Sequence, residues 1–258
     1  MKAVILAAGT GSRMGKYTRD IPKGMLIFDG KPLLEHQIDA LHAIGVSDIA
    51  IVTGHKSEKI TFANVSYFHN ANFACTNMIE SLMCACEFFT DDLIVSYADI
   101  VYTPELAKNL CSCADDIGVA VDCDWRKLWK LRYCSTEKDL ETLSTDDELL
   151  VMEIGNETHS SIGLKYRYIG LLKFTKRGLD VACESYKRRN GLAWPQSGKD
   201  FRNGYMTDLL AEIISNGNKV RAVVSSGHWL EFDTVTDYEV ISEARLSGKI
   251  SSQYIVEI

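Results

Sequence analysis

Near the start of the chain stands Lys2-Ala3-Val4-Ile5-Leu6-Ala7-Ala8-Gly9-Thr10-Gly11-Ser12-Arg13-Met14-Gly15-Lys16, with Pro22-Lys23 shortly after it. A short apolar run that ends in glycines is the pattern of a buried strand feeding a backbone-lined loop. Glycines let backbone N–H groups approach a ligand closely, and a nest of such groups attracts anions. The first expectation is therefore a site for nucleotide phosphates.

Three loop patterns compete for this stretch. The dinucleotide fingerprint G-x-G-x-x-G is met at Gly9 and Gly11 but has Met14 in its third position, which disfavours an NAD-dependent oxidoreductase. The P-loop spacing fails as well, because Gly9 and Gly15 lie too far apart and Tyr17 follows Lys16. The third pattern, Leu-x-Ala-Gly-x-Gly-x-Arg-Met followed by Pro-Lys, is met by Leu6, Ala8, Gly9, Gly11, Arg13, Met14, Pro22 and Lys23. It resembles the signature of nucleotidyltransferases that join a nucleoside triphosphate to a small phosphate.

Composition bounds the rest. The chain has 258 residues, 46% of them hydrophobic and 24% charged. That suits one large α/β domain, or a domain with a substantial insertion. A net charge of −7 argues against broad binding to nucleic acid or an anionic membrane. No long apolar run predicts membrane insertion, and Gly, Ser and Arg interrupt the first run too early for a signal peptide. Among the eight cysteines, Cys84-x-Cys86 and Cys111-x-Cys113 are close pairs without zinc or redox spacing. Reduced thiols and a cytoplasmic location are expected.

Strand and helix signals alternate along the chain, which predicts a three-layer, Rossmann-like α/β fold with a mainly parallel, mixed sheet. Val4–Ala7, Asp48–Thr53, Val65–Phe68, Asp92–Tyr97, Ile117–Val121, Tyr168–Phe174, Val220–Val224 and His228–Asp233 read as strands. Helices are expected from Pro32 to Ile44, Asn77 to Phe88, Thr103 to Leu110, Leu179 to Arg188, Met206 to Ile214 and Thr236 to Leu246. Residues 123–165 are polar and irregular, with short strands expected around Leu131–Cys134 and Leu149–Ile154. They read as an acceptor-binding insertion within one domain, 1–258. Ligands in such sheets bind at the carboxyl ends of strands, where Gly9, Gly54, Asp99 and Asp233 fall.

Nucleotidyl transfer is in-line attack on an α-phosphorus, with pyrophosphate leaving, and its barrier is largely charge and positioning. Backbone amides of Gly9–Ser12 can face the phosphate oxygens. Arg13 offers a planar fork of donors and Lys23 a point charge, so these two are the expected catalytic cations. Mg2+ takes oxygen ligands, and Asp99 and Asp233 are the candidates, although Asp at a strand end is also a common helix cap. No Ser–His–Asp or Cys–His pair is implied. None is needed, because a phosphate-monoester acceptor is already mostly dianionic near neutral pH, its second pKa being about 6.

Further segments resemble one branch of this superfamily, the bacterial choline-phosphate cytidylyltransferases. They are Asn77-Met78-Ile79-Glu80-Ser81-Leu82, Tyr97-Ala98-Asp99, Val121-Asp122-Cys123-Asp124-Trp125, Tyr168-Ile169-Gly170-Leu171, Met206-Thr207-Asp208 and Trp229-Leu230-Glu231-Phe232-Asp233-Thr234. The resemblance implies a CTP user that is Mg2+-dependent and loads CMP onto phosphocholine, aminoethylphosphonate or a phosphorylated amino acid, for decoration of a surface polymer or lipid. It implies a nucleotide site from Leu6, Ala7, Ala8, Gly9, Thr10, Gly11 and Ser12, with Asn77 and Ser81 near the cytosine. The acceptor would meet Trp125, Arg126, Glu153 and Tyr168. Trp125, Trp129, Tyr168 and Trp194 would suit a quaternary ammonium; alternatively Arg126, Lys127, Lys130 and Arg132 bind an anion or form a solvated face. Ser96-Tyr97 replaces the acidic pairing that some relatives carry before the metal aspartate, which puts more weight on Asp233. A sugar-1-phosphate nucleotidyltransferase using UTP or dTTP and an inactive nucleotide-binding regulatory module are the competing expectations. Homo-oligomerisation is left open.

Overall fold

A computed structural model describes residues 1–257; Ile258, at the edge of the expected domain, lies outside the described residues. In chain order the elements are β1 (Lys2–Ala7), β2 (Ile27–Phe28), β3 (Lys31–Pro32), α1 (Leu33–Ala43), β4 (Ile49–Thr53), β5 (Val65–His69) and α2 (Met78–Met83). Then come β6 (Leu93–Tyr97), β7 (Ile100–Tyr102), α3 (Pro104–Cys111), β8 (Ile117–Asp122), α4 (Arg126–Tyr133), β9 (Leu140–Thr145) and β10 (Val151–Thr158). The last are β11 (Arg167–Phe174), α5 (Lys176–Arg188), α6 (Met206–Ser215), β12 (Arg221–Ser225), β13 (Trp229–Glu231) and α7 (Val235–Leu246).

Seven strands form the central sheet in the order β12-β8-β11-β6-β1-β4-β5. β11 runs antiparallel to β8 and β6, and the other neighbouring pairs are parallel, so the expected mixed, mainly parallel sheet is what forms. Alternation along β1 shows how one strand serves both layers. Ala3, Ile5 and Ala7 enter the core beneath α1, α3, α4 and α7, while Val4 and Leu6 enter the core beneath α2, α5 and α6. Because both faces are covered, the strand reads as a continuous apolar run rather than an alternating one. Since β11 is reversed, its first residues, Arg167 and Tyr168, lie beside Asp122 and Val121, at the carboxyl end of β8.

Three local expectations are corrected. Leu131–Tyr133 is the end of α4, not a strand: Leu128, Trp129 and Arg132 recur at helical spacing and that face is buried. The Asn77–Phe88 helix is one short α-helix followed by a 3-10 turn, Cys86–Phe88. The His228–Asp233 strand does not join the main sheet; β13 pairs with β7 in a two-stranded antiparallel ribbon. In the 123–165 stretch, α4 packs on α7 and the β9–β10 hairpin packs on α6.

Candidate active site

The loop after β1 lines a cavity of about 250 Å3 together with Lys23, Phe73, Asn77, Ser81, Tyr97, Asp99 and Asp233. Its conformation depends on Gly11, whose φ of 61° is one that L side chains rarely adopt. A Cβ there would also stand 3.1 Å from the Lys23 Cβ. The Gly11 carbonyl accepts from the Thr18 hydroxyl at 3.0 Å, which holds the loop against the following 3-10 segment. The opposite wall comes from the start of α2. The Asn77 side chain caps that helix by accepting from Met78 N at 2.9 Å, and Ser81 Oγ donates back to the Asn77 carbonyl at 3.2 Å.

The two expected metal-binding aspartates meet because of the β7–β13 ribbon. Glu231 is in register with Ile100, and Phe232 N donates to the Asp99 carbonyl at 2.9 Å, which leaves Asp233 beside Asp99. Lys23 stands between them: its Nζ donates to Asp99 Oδ2 at 2.7 Å and to Asp233 Oδ1 at 2.8 Å. Arg13, 67% exposed, reaches Asp233 Oδ2 at 2.5 Å. The four charged residues named from sequence, Arg13, Lys23, Asp99 and Asp233, are thus one cluster at the cavity wall. Burial works against the Lys23 charge, but the two carboxylates outweigh it and hold its pKa above the ordinary value. Burial likewise opposes the Asp233 carboxylate, yet Lys23 and Arg13 together hold its pKa below the usual range.

The carboxylate oxygens of Asp99 and Asp233 converge on a single cation, here the Lys23 ammonium. Hard oxygen donors in that arrangement suit a divalent ion such as Mg2+. Among the described residues no group of three or more His, Cys, Asp or Glu side chains could hold a metal. The remaining ligands would therefore come from phosphate oxygens and water.

Behind this cluster lie Gln37 and Asp237, which the sequence did not single out, and Arg132, which was expected to bind an anion or form a solvated face. Gln37, fully buried on α1, donates to the carbonyls of Tyr97 and Ile100 at 3.0 and 2.7 Å and so fastens both ends of the turn that carries Asp99. Asp237 accepts from the backbone N–H groups of Asp233 and Thr234, at 3.2 and 2.8 Å, as part of the α7 capping box. The spelling Thr234-x-x-Asp237 is a cap signal that points to it. Arg132, with no exposed side-chain surface, donates through Nε to Asp237 at 3.0 Å and also pairs with Glu231. It is neither a solvated residue nor free for a ligand, because its donors are taken by Asp237, Glu231 and Tyr133.

None of the expected acceptor residues, Trp125, Arg126, Glu153 and Tyr168, lines the nucleotide cavity itself. Tyr168 donates to the Tyr97 hydroxyl at 3.3 Å, their rings meeting edge to face, and Tyr97 lines the cavity. Gly170 makes this possible: its φ is 80°, and a Cβ would come within 2.5 Å of the Tyr97 ring. Trp125 is a core residue, 1% exposed, packed against Trp129. Arg126 stacks on Trp125 and donates to the carbonyls of Ser161 and Leu164, at 3.0 and 2.8 Å, so it ties down the loop before β11. Glu153 accepts from Thr142 and Asn156 on the exposed side of the hairpin. Trp194 sits in the core on the opposite face of the sheet from Trp125 and Trp129, so the four aromatics do not form one cage.

A glycine loop, two cations and two convergent carboxylates at the carboxyl end of a doubly covered sheet define the class, and comparison with known proteins gives the family. Residues 3–149 match the MobA-like NTP transferase domain, and the chain belongs to that family. Over 253 residues it is 34% identical to the CTP:phosphoglutamine cytidylyltransferase of Campylobacter jejuni, covering 93% of this chain and 98% of that protein. It is 33% identical over 114 residues to the choline-phosphate cytidylyltransferase of Streptococcus pneumoniae, 43% of this chain and 50% of that one. The solved structure of the CTP:phosphocholine cytidylyltransferase from Streptococcus pneumoniae superposes with a TM-score of 0.72 at 23% identity, over 95% of this chain and 98% of that one. The last similarity is one of fold.

Proposed function

We propose that this protein is a Mg2+-dependent cytidylyltransferase that moves CMP from CTP to a small phosphorylated headgroup. The observation that carries this reading is the convergence of Arg13, Lys23, Asp99 and Asp233 on the cavity of the glycine loop. Support for CTP comes from the relatives, which are named as cytidylyltransferases acting on phosphoglutamine and choline phosphate.

In this reading the triphosphate lies along Gly9–Ser12, whose backbone N–H groups face its oxygens, with the base toward Asn77 and Ser81. An oxygen of the acceptor phosphate attacks the α-phosphorus. One P–O bond forms, the bond from the α-phosphorus to the bridging oxygen breaks, and pyrophosphate leaves with the electron pair. Lys23 and Arg13 neutralise the charge that builds on the phosphoryl oxygens and the leaving group. Bound Mg2+ would be held by Asp99 and Asp233 and would supply further charge neutralisation and orientation of the phosphates. The attacking phosphate needs no general base at neutral pH.

No helix among the described residues is long and apolar enough to cross a membrane, and all eight cysteines are free. These features support work in a reducing, cytoplasmic setting, with the CDP-linked product passed to an enzyme that decorates a surface polymer or lipid. Pyrophosphate release tests the function, with CTP, UTP, dTTP and GTP each offered alongside phosphorylated acceptors and Mg2+. Release with CTP is the expected result. Release only with UTP or dTTP and a sugar 1-phosphate would move the assignment to that class, and folded protein that releases none with any pair would sink it.

A further inference from the structure

Two opposite charges with unmet hydrogen-bonding capacity stand on strands that pack together, Arg167 at the ligand-facing end of β11 and Glu141 on β9. The Arg167 guanidinium stacks on the Trp129 indole, 4.7 Å from its centroid, and its side chain is 11% exposed. Its Nη2 is 3.8 Å from Asp139 Oδ2, too long for a hydrogen bond, and its Nη1 is buried with no partner among the described residues. A buried guanidinium donor without an acceptor is costly, so its retention asks for an explanation. Arg132, on the same Trp129 ring, is different, because Asp237, Glu231 and Tyr133 occupy its donors.

Glu141, on β9, is the complementary group. Its carboxylate has no hydrogen bond or ion pair among the described residues and borders a polar cavity of about 530 Å3. Burial pushes its carboxyl upward, and Arg167 is close enough to oppose that. Burial above all, with Glu141 adding to it, disfavours ionisation of Tyr97 and Tyr168, and Tyr97 lines the nucleotide cavity. Arg167 is the β11 neighbour of Tyr168, whose hydroxyl meets that of Tyr97 in the wall of the nucleotide cavity, and β9, which carries Glu141, packs against β11, so both groups lie on elements that adjoin that cavity.

A ligand that satisfies both groups carries an anion for Arg167 and a cation for Glu141, close together. A quaternary ammonium headgroup supplies the cation alone and leaves Nη1 unsatisfied beside another positive charge. We propose that Arg167 and Glu141 read the zwitterionic end of an amino-acid acceptor, the guanidinium taking its α-carboxylate and Glu141 its α-ammonium, with the phosphorylated end directed to Lys23, Asp99 and Asp233. This rests on the cytidylyl-transfer assignment and narrows its acceptor to phosphorylated amino acids. Arg167 and Glu141 are specificity residues in this scheme and take no part in the bond exchange.

The test is calorimetric binding to the full chain of two matched pairs. One is side-chain-phosphorylated L-glutamine against its decarboxylated analogue, and the other is O-phospho-L-serine against phosphoethanolamine. At least one pair should favour the carboxylate-bearing member about 10- to 100-fold. Arg167→Met should abolish that preference while leaving CTP binding and the decarboxylated member unchanged, and Glu141→Gln should weaken both members of the pair. Arg167→Lys, which keeps the charge and the stem, should retain part of the preference and covers the case in which the Met variant does not fold. A wild-type protein with no preference in either pair, or a preference that survives Arg167→Met, overturns the proposal. Binding needs no turnover, so the two assignments fail separately. Carboxylate-dependent binding without pyrophosphate release from CTP removes the transferase reading alone, whereas efficient transfer to carboxylate-free acceptors in preference removes the zwitterion reading alone.

Discussion

Lys23 donates to carboxylates that lie far from it in the chain, and its replacement separates electrostatics from packing. In the native protein Asp233 has a depressed pKa, so its contribution to stability is present above the ordinary carboxylate value and lost as pH falls through the folded value. Lys23 has a raised pKa, so its contribution is present below its ordinary value near 10.5 and lost as pH rises through the raised one. Wild-type stability should therefore be level between about pH 5 and pH 9 with respect to this pair. In Lys23→Met, burial at Asp233 is opposed by Arg13 and Arg132 but no longer by the ammonium, and its pKa moves up. That variant should then gain stability on going from pH 7 to pH 5, whereas the wild type does not. Urea titrations at the two pH values check this, and identical slopes for both proteins would refute it. For catalysis, Asp99→Asn keeps the shape and removes a ligand charge. Turnover should fall by about 10²- to 10³-fold or more with the melting temperature little changed; retained pyrophosphate release would remove Asp99 from the site.

At the scale of elements, the ion pairs between α4 and the β13–α7 junction link the 123–165 stretch to the charged cluster. Arg132→Met removes the partner of two carboxylates that stay largely buried. It should cost about 3–5 kcal/mol in urea unfolding and raise the acceptor KM more than the CTP KM. Thr234→Ala removes the hydroxyl that caps α7 together with one methyl group, and should cost about 1 kcal/mol. Much of this scale was readable in advance. The strand and helix alternation, the Pro104 helix start with its Thr103 cap, and the reach of the central strands follow from period and punctuation alone. α4 was not readable as a helix, because Arg126, Lys127, Lys130 and Arg132 look solvated until Asp237 and Glu231 are brought to them. The short β13 strand looked like a sheet member, because pairing partners are not written in a strand's own residues.

For the whole molecule, ligand binding should stabilise the native state by mass action. CTP with Mg2+ at about 100 times its Kd is expected to add about 2.7 kcal/mol, seen as a rise in melting temperature that UTP, dTTP and GTP do not match. Equal shifts with all four nucleotides would show that Asn77 and Ser81 do not select the base. The cavity walls come from the loop after β1, the start of α2 and the end of the β7–β13 ribbon, and two cores lie on either side of the sheet.

By itself the sequence determined the phosphate loop, because Leu6 to Met14 is a local structure whose glycines dictate the backbone and whose arginine has a fixed place in it. It also determined that aspartates stand at strand ends, since strand periodicity marks where strands stop. Only the tertiary structure decided that Asp99 and Asp233 share one cation, because a two-stranded ribbon between distant segments brings them together. Only the fold decided which basic residues are buried and which tryptophans are core, because burial is a property of what packs above a side chain. The joint role proposed for Arg167 and Glu141 belongs there too: they come from different strands, and their charges can act on one ligand only once the sheet and the hairpin pack together.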